Sequence, residues 1–182
     1  KKPFPSMPVK FWNDEKDEKY NSAYFKKYNN VWHHGDFAKI TNNGGFVIFG
    51  RSDTTLNPGG VRLGTAEIYA EVEKFKEIKE SIAVGQTWDN DVRIILFIIM
   101  SKNFSLTDPL ISKIKKQIRK NASPRHVPSK IIIVKDIPRT KSGKLVELAV
   151  KNTIEGNKIK NSEALANPEA LKQFKNLKEL SN

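Results

Sequence analysis

The longest uninterrupted apolar run in the chain, Ile94–Met100, constrains the fold more than any other segment. Its seven residues have the length of a buried strand and fall well short of the roughly 18 residues that a membrane-spanning helix needs. A shorter apolar run, Ile131–Val134, also predicts a buried strand. The sequence therefore indicates a small sheet and no membrane span.

The pattern around these runs predicts helix, strand, strand, helix, strand, helix in that order. The first predicted helix is capped by Thr65 and runs with helical spacing to Ile78, and two strands follow over 81–84 and 92–100, with a turn over 85–91 between them. A helix capped by Thr107 or Asp108, a strand over 131–134 and a helix from Leu145 complete the order. Such an order is typical of an α+β fold in which helices pack on a small three-stranded sheet.

The segments before and after this region differ in character. Residues 1–52 contain an aromatic-rich stretch, for which we expect a helix over 13–29 capped by Asn13, and then two strands joined by an Asn-Gly turn. We expect 1–52 to be the β-rich C-terminal edge of a larger domain, 53–156 to be the small α+β domain, and 157–182 to be a polar extension that wraps the surface. The tyrosine face of the first helix should need a partner surface outside this chain.

The net charge of +12 is concentrated in the second half of the chain. Between Ile111 and Lys144 there are eleven cations and a single anion, Asp136. A field of this sign attracts phosphate groups, whether of nucleic acid, a membrane surface or a small molecule. Aromatic side chains for base stacking are nearly absent there, which weakens the case for single-stranded nucleic acid.

The segment Pro138-Arg-Thr-Lys-Ser-Gly-Lys144 lies between the strand over 131–134 and the last predicted helix. Gly143 allows a sharp turn that would present Lys144 to an anionic ligand. The segment is not a Walker A loop, because proline stands where that motif needs its first glycine and Leu145 follows the lysine. Taken alone, it is more often a solvated basic loop than a site.

Three motifs in one order carry a family resemblance. They are His34-Gly-Asp36, then Gly50-Arg-Ser-Asp53 with the glycine-rich stretch to Gly64, and then Pro138–Lys144. In this order and spacing they resemble the C-terminal part of the adenylate-forming enzymes, which include the acyl-CoA synthetases. The resemblance covers roughly residues 32–149, and the individual segments are most similar to the ligases that activate acetoacetate.

The resemblance implies nucleotide-binding roles for several residues. Asp36 matches the aspartate that binds the ribose hydroxyls of ATP, and Arg51 and Arg62 match arginines that contact the nucleotide and lie near its phosphates. Lys144 matches the catalytic lysine that adenylation requires. The family's magnesium ligands, phosphate loop and acyl pocket belong to a large N-terminal domain, so the resemblance implies that this chain alone is inactive.

The same resemblance implies a domain rotation and a coenzyme A site. Asp53 matches the hinge about which the C-terminal domain turns. Gly60 matches the loop that lines the thiol tunnel, where a side chain would obstruct the pantetheine, and Arg119 matches an arginine that holds a phosphate of coenzyme A.

We therefore expect the C-terminal part of a ligase that joins acetoacetate to coenzyme A, with ATP, magnesium and coenzyme A as cofactors. Its partners would be its own N-terminal domain and these small molecules, with no nucleic acid and no membrane, and a lysine acetyltransferase and deacetylase could act on Lys144. The lack of cysteine excludes disulfides and thiol catalysis, no metal site is expected in this chain, and the expected location is cytoplasmic. A ligase for acetate or butyrate and a basic nucleic-acid-binding module are the alternatives.

Overall fold

The computed structural model describes residues 4–159 and 162–182, and the chain divides into two compact units, residues up to Asp36 and Phe37–Asn182. In the described part, no helix is long and apolar enough to cross a membrane.

The first unit contains one short helix, α1 (Glu18–Tyr24), so the predicted helix over 13–29 is wrong in extent. Asn13 and Asp17 adopt positive φ angles of 51° and 55°, which interrupt a helix. The carboxylate of Asp14 accepts hydrogen bonds from the N–H groups of Lys19 and Tyr20, at 3.0 and 2.8 Å. Asp14 therefore caps the helix in place of Asn13, the predicted cap.

Several aromatic side chains of this unit contact one another, and the expected partner surface outside this chain stays a prediction because α1 has no buried residue. Tyr24 stacks on Trp32 with ring centroids 3.8 Å apart, and Tyr20 and Phe11 meet Tyr24 edge-on. Tyr28, the third tyrosine of the expected face, is 52% exposed.

The second unit contains a three-stranded sheet with β4 in the centre, built from one antiparallel and one parallel strand pairing. The strands and helices are β1 (Asp36–Ile40), which begins at the last residue of the first unit, β2 (Phe46–Arg51), α2 (Thr65–Val72), β3 (Ile78–Trp88), β4 (Asp91–Met100), α3 (Asp108–Asn121), β5 (Lys130–Ile133) and α4 (Glu147–Ile154). β3 pairs with β4 antiparallel and β5 pairs with β4 parallel, while β1 and β2 form a separate two-stranded sheet. The predicted α+β class, with helices on a three-stranded sheet, is confirmed.

The sheet separates two hydrophobic layers because the apolar run of β4 alternates between its faces. Ile94, Leu96 and Ile98 face one layer, which α2 and α3 complete. Ile95 and Phe97 face the other layer, which α4 completes together with the tail.

The tail after α4 is part of the core and does not simply wrap the surface. It forms short 3₁₀ turns, one of them over Pro168–Phe174. Phe174 is fully buried and meets Phe97 edge-on at 4.9 Å, and Leu165 and Leu180 are buried in the same layer.

Two local predictions need correction, and a third is confirmed. The turn expected over 85–91 is only Asp89-Asn90, both with positive φ, and β3 continues through Trp88. Thr65 is the first residue of α2 and not its cap, and that helix ends at Val72. Thr107 does cap α3 by accepting the N–H of Leu110, at 3.4 Å.

Candidate functional site

Lys144 ends a tight turn that the loop Pro138–Lys144 makes with its own backbone. Thr140 N–H donates to the carbonyl of Lys144 at 2.9 Å, and Gly143 N–H donates to the carbonyl of Thr140 at 2.8 Å. Gly143 has a φ of 83°, a conformation that favours glycine. The side chain of Lys144 is exposed, and none of the ion pairs among the described residues engages it. The turn therefore presents the cation of Lys144 to the solvent, as the sequence predicted.

Arg139 links this turn to the sheet. Its Nη1 donates to the carbonyl of Gly143 at 2.8 Å, and its Nη2 donates to Glu80 Oε2 of β3 at 2.5 Å. Glu80 pairs with Ile99 near the end of β4. One side chain thus fastens the turn that carries Lys144 to that end of the β3–β4 pair.

The glycine-rich loop is closed by two leucines. Leu56 and Leu63 exchange backbone hydrogen bonds at 3.0 and 2.8 Å, and both side chains are buried. Between them Gly59 and Gly60 have φ angles of 58° and 76°, and a Cβ added at Gly60 would meet no atom within 4 Å. Arg62 is exposed on the same loop. The loop is therefore a protrusion with open space around Gly60.

Asp91 anchors this loop to the turn between β3 and β4. The N–H of Gly59 donates to its Oδ1 and Oδ2 at 2.9 and 3.0 Å. The N–H groups of Val92 and Gly59 and the nearby charge of Arg125 lower the pKa of Asp91 below its ordinary value. A cleft of about 410 Å³ lies beside the anchor and is lined by Pro58, Trp88, Asp91, Arg93 and Arg125, among others.

The two loops lie at opposite ends of the β3–β4 pair. Arg139 contacts Glu80 at one end, and Gly59 contacts Asp91 at the other, where Asp91 pairs with Trp88. Eight residues of strand separate Glu80 from Trp88, which amounts to about 26 Å at about 3.3 Å per residue. The loops that carry Lys144 and Gly60 are therefore anchored at opposite ends of the strand pair.

The structure brings Arg51 and Asp53 together. Arg51 Nε and Nη2 lie 3.4 Å from Asp53 Oδ1 and Oδ2, respectively, and both side chains are about half exposed. The carbonyl of Arg51 also accepts the hydroxyls of Thr54 and Thr55, at 3.3 and 3.1 Å. Asp53 thus occupies an exposed, hydrogen-bonded turn directly after β2.

Asp36 begins β1 and has His34 beside it in the first unit. His34 Nε2 lies 3.6 Å from Asp36 Oδ2, and Trp32 Nε1 donates to His34 Nδ1 at 3.2 Å. Because Nδ1 accepts, Nε2 carries the proton that faces the carboxylate. The exposed imidazole of His34 thus lies next to the carboxylate of Asp36.

Arg119 lies in the last turn of α3, on the exposed side of an amphipathic helix. The opposite side buries Leu110, Ile114 and Ile118. No hydrogen bond or ion pair in the described ranges links Arg119 to Lys144 or Gly60.

A buried histidine that sequence reasoning missed fixes the segment after α3. His126 is 4% exposed, its Nδ1 lies 2.8 Å from Ser123 Oγ, and its Nε2 lies 3.1 Å from Glu67 Oε2 of α2. Asp91, Arg139 and His126 each contact a residue at least 30 positions away in the sequence. No local sequence pattern indicates these contacts.

A family model and similar proteins of known name agree on what this chain resembles. Residues 67–144 match the family described as AMP-binding enzyme C-terminal domain. Over 179 residues the chain is 59% identical to acetoacetyl-coenzyme A synthetase of Rhizobium meliloti (strain 1021), and the match covers 98% of this chain and 28% of that protein. Acetoacetyl-CoA synthetase of Xenopus tropicalis is 49% identical over 183 residues, covering 100% of this chain and 27% of that protein.

Solved structures give the same result. Acetoacetyl-CoA synthetase from Streptomyces lividans matches with a TM-score of 0.88 and 39% identity, over 99% of this chain and 27% of that one. ATP-bound MatB from Rhodopseudomonas palustris, at 20% identity and a TM-score of 0.64 over 78% of this chain and 27% of that one, shares the fold. The chain therefore spans about a quarter of the length of the relatives that it matches, and the resemblance to the C-terminal part of adenylate-forming enzymes is confirmed.

Proposed function

We propose that the chain is the C-terminal part of an ATP-dependent ligase that joins acetoacetate to coenzyme A, because residues 67–144 match the family described as AMP-binding enzyme C-terminal domain. The similarity to acetoacetyl-CoA synthetases of bacteria and vertebrates supports this choice of acid. In this proposal residues 1–52 are the edge of the large N-terminal domain, 53–156 are the mobile domain and 157–182 are an extension.

The observation that carries the proposal is the position of the two loops at opposite ends of the β3–β4 pair. A two-step reaction with two site geometries needs two loops that are used in turn. In one orientation Lys144 faces the reacting groups, and in the other the loop around Gly60 does so. Asp53, in its exposed turn after β2, is the hinge, since a few loop residues can absorb such a rotation.

In the first step a carboxylate oxygen of acetoacetate bonds to the α-phosphorus of ATP, the bond from that phosphorus to the bridging oxygen breaks, and pyrophosphate leaves. Two anions must approach each other. The ammonium of Lys144 offsets their repulsion and the charge that develops on the phosphoryl oxygens. Asp36 accepts hydrogen bonds from the ribose hydroxyls, and Arg51 and Arg62 contact the nucleotide and its phosphates.

In the second step the sulfur of coenzyme A bonds to the acyl carbon, the bond from that carbon to the adenylate oxygen breaks, and AMP leaves while the thiol proton passes to solvent. Gly60 lies in open space, so the pantetheine can pass beside it. Arg119, in the exposed cationic part of α3, binds a phosphate of coenzyme A.

Magnesium does not fit the residues of this chain. In the part of the chain that the structure describes, no three His, Cys, Asp or Glu side chains are grouped to hold a metal ion. Magnesium would therefore be bound by residues of the N-terminal domain, and no residue of this chain is assigned to it. Acetylation of Lys144 by a lysine acetyltransferase, reversed by a deacetylase, would remove the charge that adenylation needs. This regulation and the cytoplasmic location stay predictions.

The test is to assay the full-length protein that carries this chain with ATP, coenzyme A and each of acetoacetate, acetate and butyrate. We expect acetoacetate to give the highest kcat/KM for AMP formation and acyl-CoA release. A preference for acetate or butyrate would overturn the substrate, and absence of any acid-dependent AMP formation would overturn the ligase assignment. Salt-dependent binding of duplex DNA without any response to coenzyme A would instead support a nucleic-acid-binding module.

A further inference from the structure

A short segment of the tail, Ala164–Asn167, runs beside the loop that carries Lys144. Thr140 and Leu165 form an antiparallel bridge. Lys141 N–H donates to the carbonyl of Ala164 at 3.1 Å, and Ala166 N–H donates to the carbonyl of Arg139 at 2.8 Å. The tail therefore adds a strand-like edge to the Lys144 loop, and this edge lies beyond the residues 67–144 that match the family.

Asn167 ties the end of this segment to the start of the loop. Its Oδ1 accepts the N–H of Arg139 at 2.8 Å. Its Nδ2 donates to Asp136 Oδ2 at 2.6 Å and to the carbonyl of Ile137 at 3.0 Å. One amide side chain thus satisfies groups on three residues, and it fixes the path of the chain from 136 to 139.

The segment is itself held in the core. Leu165 is 6% exposed and belongs to the same hydrophobic layer as Phe97 and Phe174. A buried side chain next to the pairing backbone means that the edge cannot shift without disturbing the layer. This segment of the tail is therefore held in place by the hydrophobic core.

Arg139 transmits this support to Lys144. The tail holds its backbone N–H and carbonyl, while its guanidinium joins Glu80 to the carbonyl of Gly143. Gly143 directly precedes Lys144. A displacement of Arg139 would therefore move the turn on which Lys144 stands.

We propose that Asn167 is a positioning residue for Lys144, acting through Arg139 and the paired segment Ala164–Asn167. The proposal rests on the proposed function of Lys144 in adenylation. Asn167 touches no substrate, and its effect is confined to the step that uses Lys144. Because catalytic geometry tolerates little displacement, loss of this support should slow adenylation while leaving thioester formation unchanged.

The experiment uses the full-length protein and measures the two steps separately. Adenylation is followed by acetoacetate-dependent exchange of pyrophosphate into ATP, and thioester formation by reaction of supplied acetoacetyl adenylate with coenzyme A. The variants are Asn167→Ala and the exchange Asn167→Asp with Asp136→Asn, which keeps an acceptor for the Arg139 N–H and an amide–carboxylate bond between positions 136 and 167 but removes the donor to the Ile137 carbonyl. Gln173→Ala is the matched control, because Gln173 also bridges the tail to the chain, through Lys135 N–H and the Asp136 carbonyl, but before the loop begins.

We expect Asn167→Ala to reduce adenylation by about tenfold to a hundredfold and thioester formation by less than about twofold. The exchanged pair should recover part of the adenylation rate, because it keeps the acceptor for the Arg139 N–H but lacks the donor to the Ile137 carbonyl, and Gln173→Ala should leave the ratio of the two rates unchanged. Hydrogen exchange on Asn167→Ala should show faster exchange at the Lys141 amide with β4 unaffected, which gives a readout even where activity is low.

Equal loss of both steps in Asn167→Ala, or the same change of ratio in Gln173→Ala, would overturn the positioning role. Failure of the proposed function has a different signature. The unmodified protein would then lack acetoacetate-dependent exchange, or Lys144→Ala would retain it, whatever Asn167→Ala does.

Discussion

The backbone N–H of Gly59 donates to both carboxylate oxygens of Asp91, at 2.9 and 3.0 Å, across 32 residues of sequence. This contact sets the glycine-rich loop on the turn between β3 and β4, about one strand length from the contact between Arg139 and Glu80. The two loops are therefore anchored at opposite ends of the β3–β4 pair.

The contact between Gly59 and Asp91 should respond to pH in a defined direction. The pKa of Asp91 is lowered in the folded protein, so the contact stabilises the fold above the ordinary aspartate value of about 3.9 and is lost as the pH falls through the lower folded value. The Gly59 amide resonance should therefore titrate with a midpoint below that value. Asp91→Asn is the control and should abolish the transition, and a midpoint above the ordinary value would contradict the geometry.

Gly60 should be essential for the second step alone. Gly60→Leu places a side chain in the open space beside the loop, at the cost of about 1–2 kcal/mol for a residue other than glycine at positive φ. We expect thioester formation to fall by about a hundredfold, with adenylation within about twofold of the unmodified protein.

Gly44→Leu provides the matched control for this substitution. Gly44 has a φ of 77°, also has no atom within 4 Å of an added Cβ, and lies in the turn between β1 and β2. The same backbone cost should then leave both steps intact. Equal effects of the two variants would assign the loss to backbone strain and not to the path of coenzyme A.

Asp53 should permit the change between the two orientations. Asp53→Pro stiffens the exposed turn after β2, since proline fixes its own φ. We expect adenylation to be retained within about threefold and thioester formation to fall by at least about tenfold, because only the second step requires rotation. Asp53→Ala should preserve both rates. Parallel loss of the two steps in Asp53→Pro would argue against a hinge.

The tail should contribute strongly to stability. Phe174→Ala removes a fully buried ring that meets Phe97 edge-on, and about 3–5 kcal/mol of unfolding free energy should be lost. Phe104→Ala, at a side chain that is 43% exposed, should cost less than about 1 kcal/mol. Urea unfolding of the chain measures both. Similar midpoints for the two variants would mean that the tail is not part of the core.

Sequence reasoning reached the order of the elements because that order depends on local patterns. The apolar runs of β4 and β5 and the Thr107 cap are all visible within a few residues. The extent of β3 was missed because Gly85 and the polar residues after it look like a turn, whereas pairing with β4 keeps them in the strand. The short α1 was missed because two residues with positive φ interrupt an otherwise helical pattern.

The candidate site likewise contains residues that the sequence indicates and supporting residues that it does not. Lys144 and Gly60 could be singled out through the family resemblance, which the order and spacing of three motifs carry. Their supports could not be predicted, because Glu80 and Asn167 reach Arg139 from 59 and 28 residues away. Long-range contacts of this kind depend on the folded sheet and on the position of the tail, which no local pattern reveals.

The most direct test of the central claim is the rate of the two steps in Lys144→Ala of the full-length protein, with Lys102→Ala, an exposed lysine after β4, as the control. We predict that acetoacetate-dependent exchange of pyrophosphate into ATP falls by at least about a hundredfold, because the charge that offsets two approaching anions is lost. Thioester formation from supplied acetoacetyl adenylate should stay within about twofold, and Lys102→Ala should change neither step. Retention of the exchange reaction in Lys144→Ala would contradict the account.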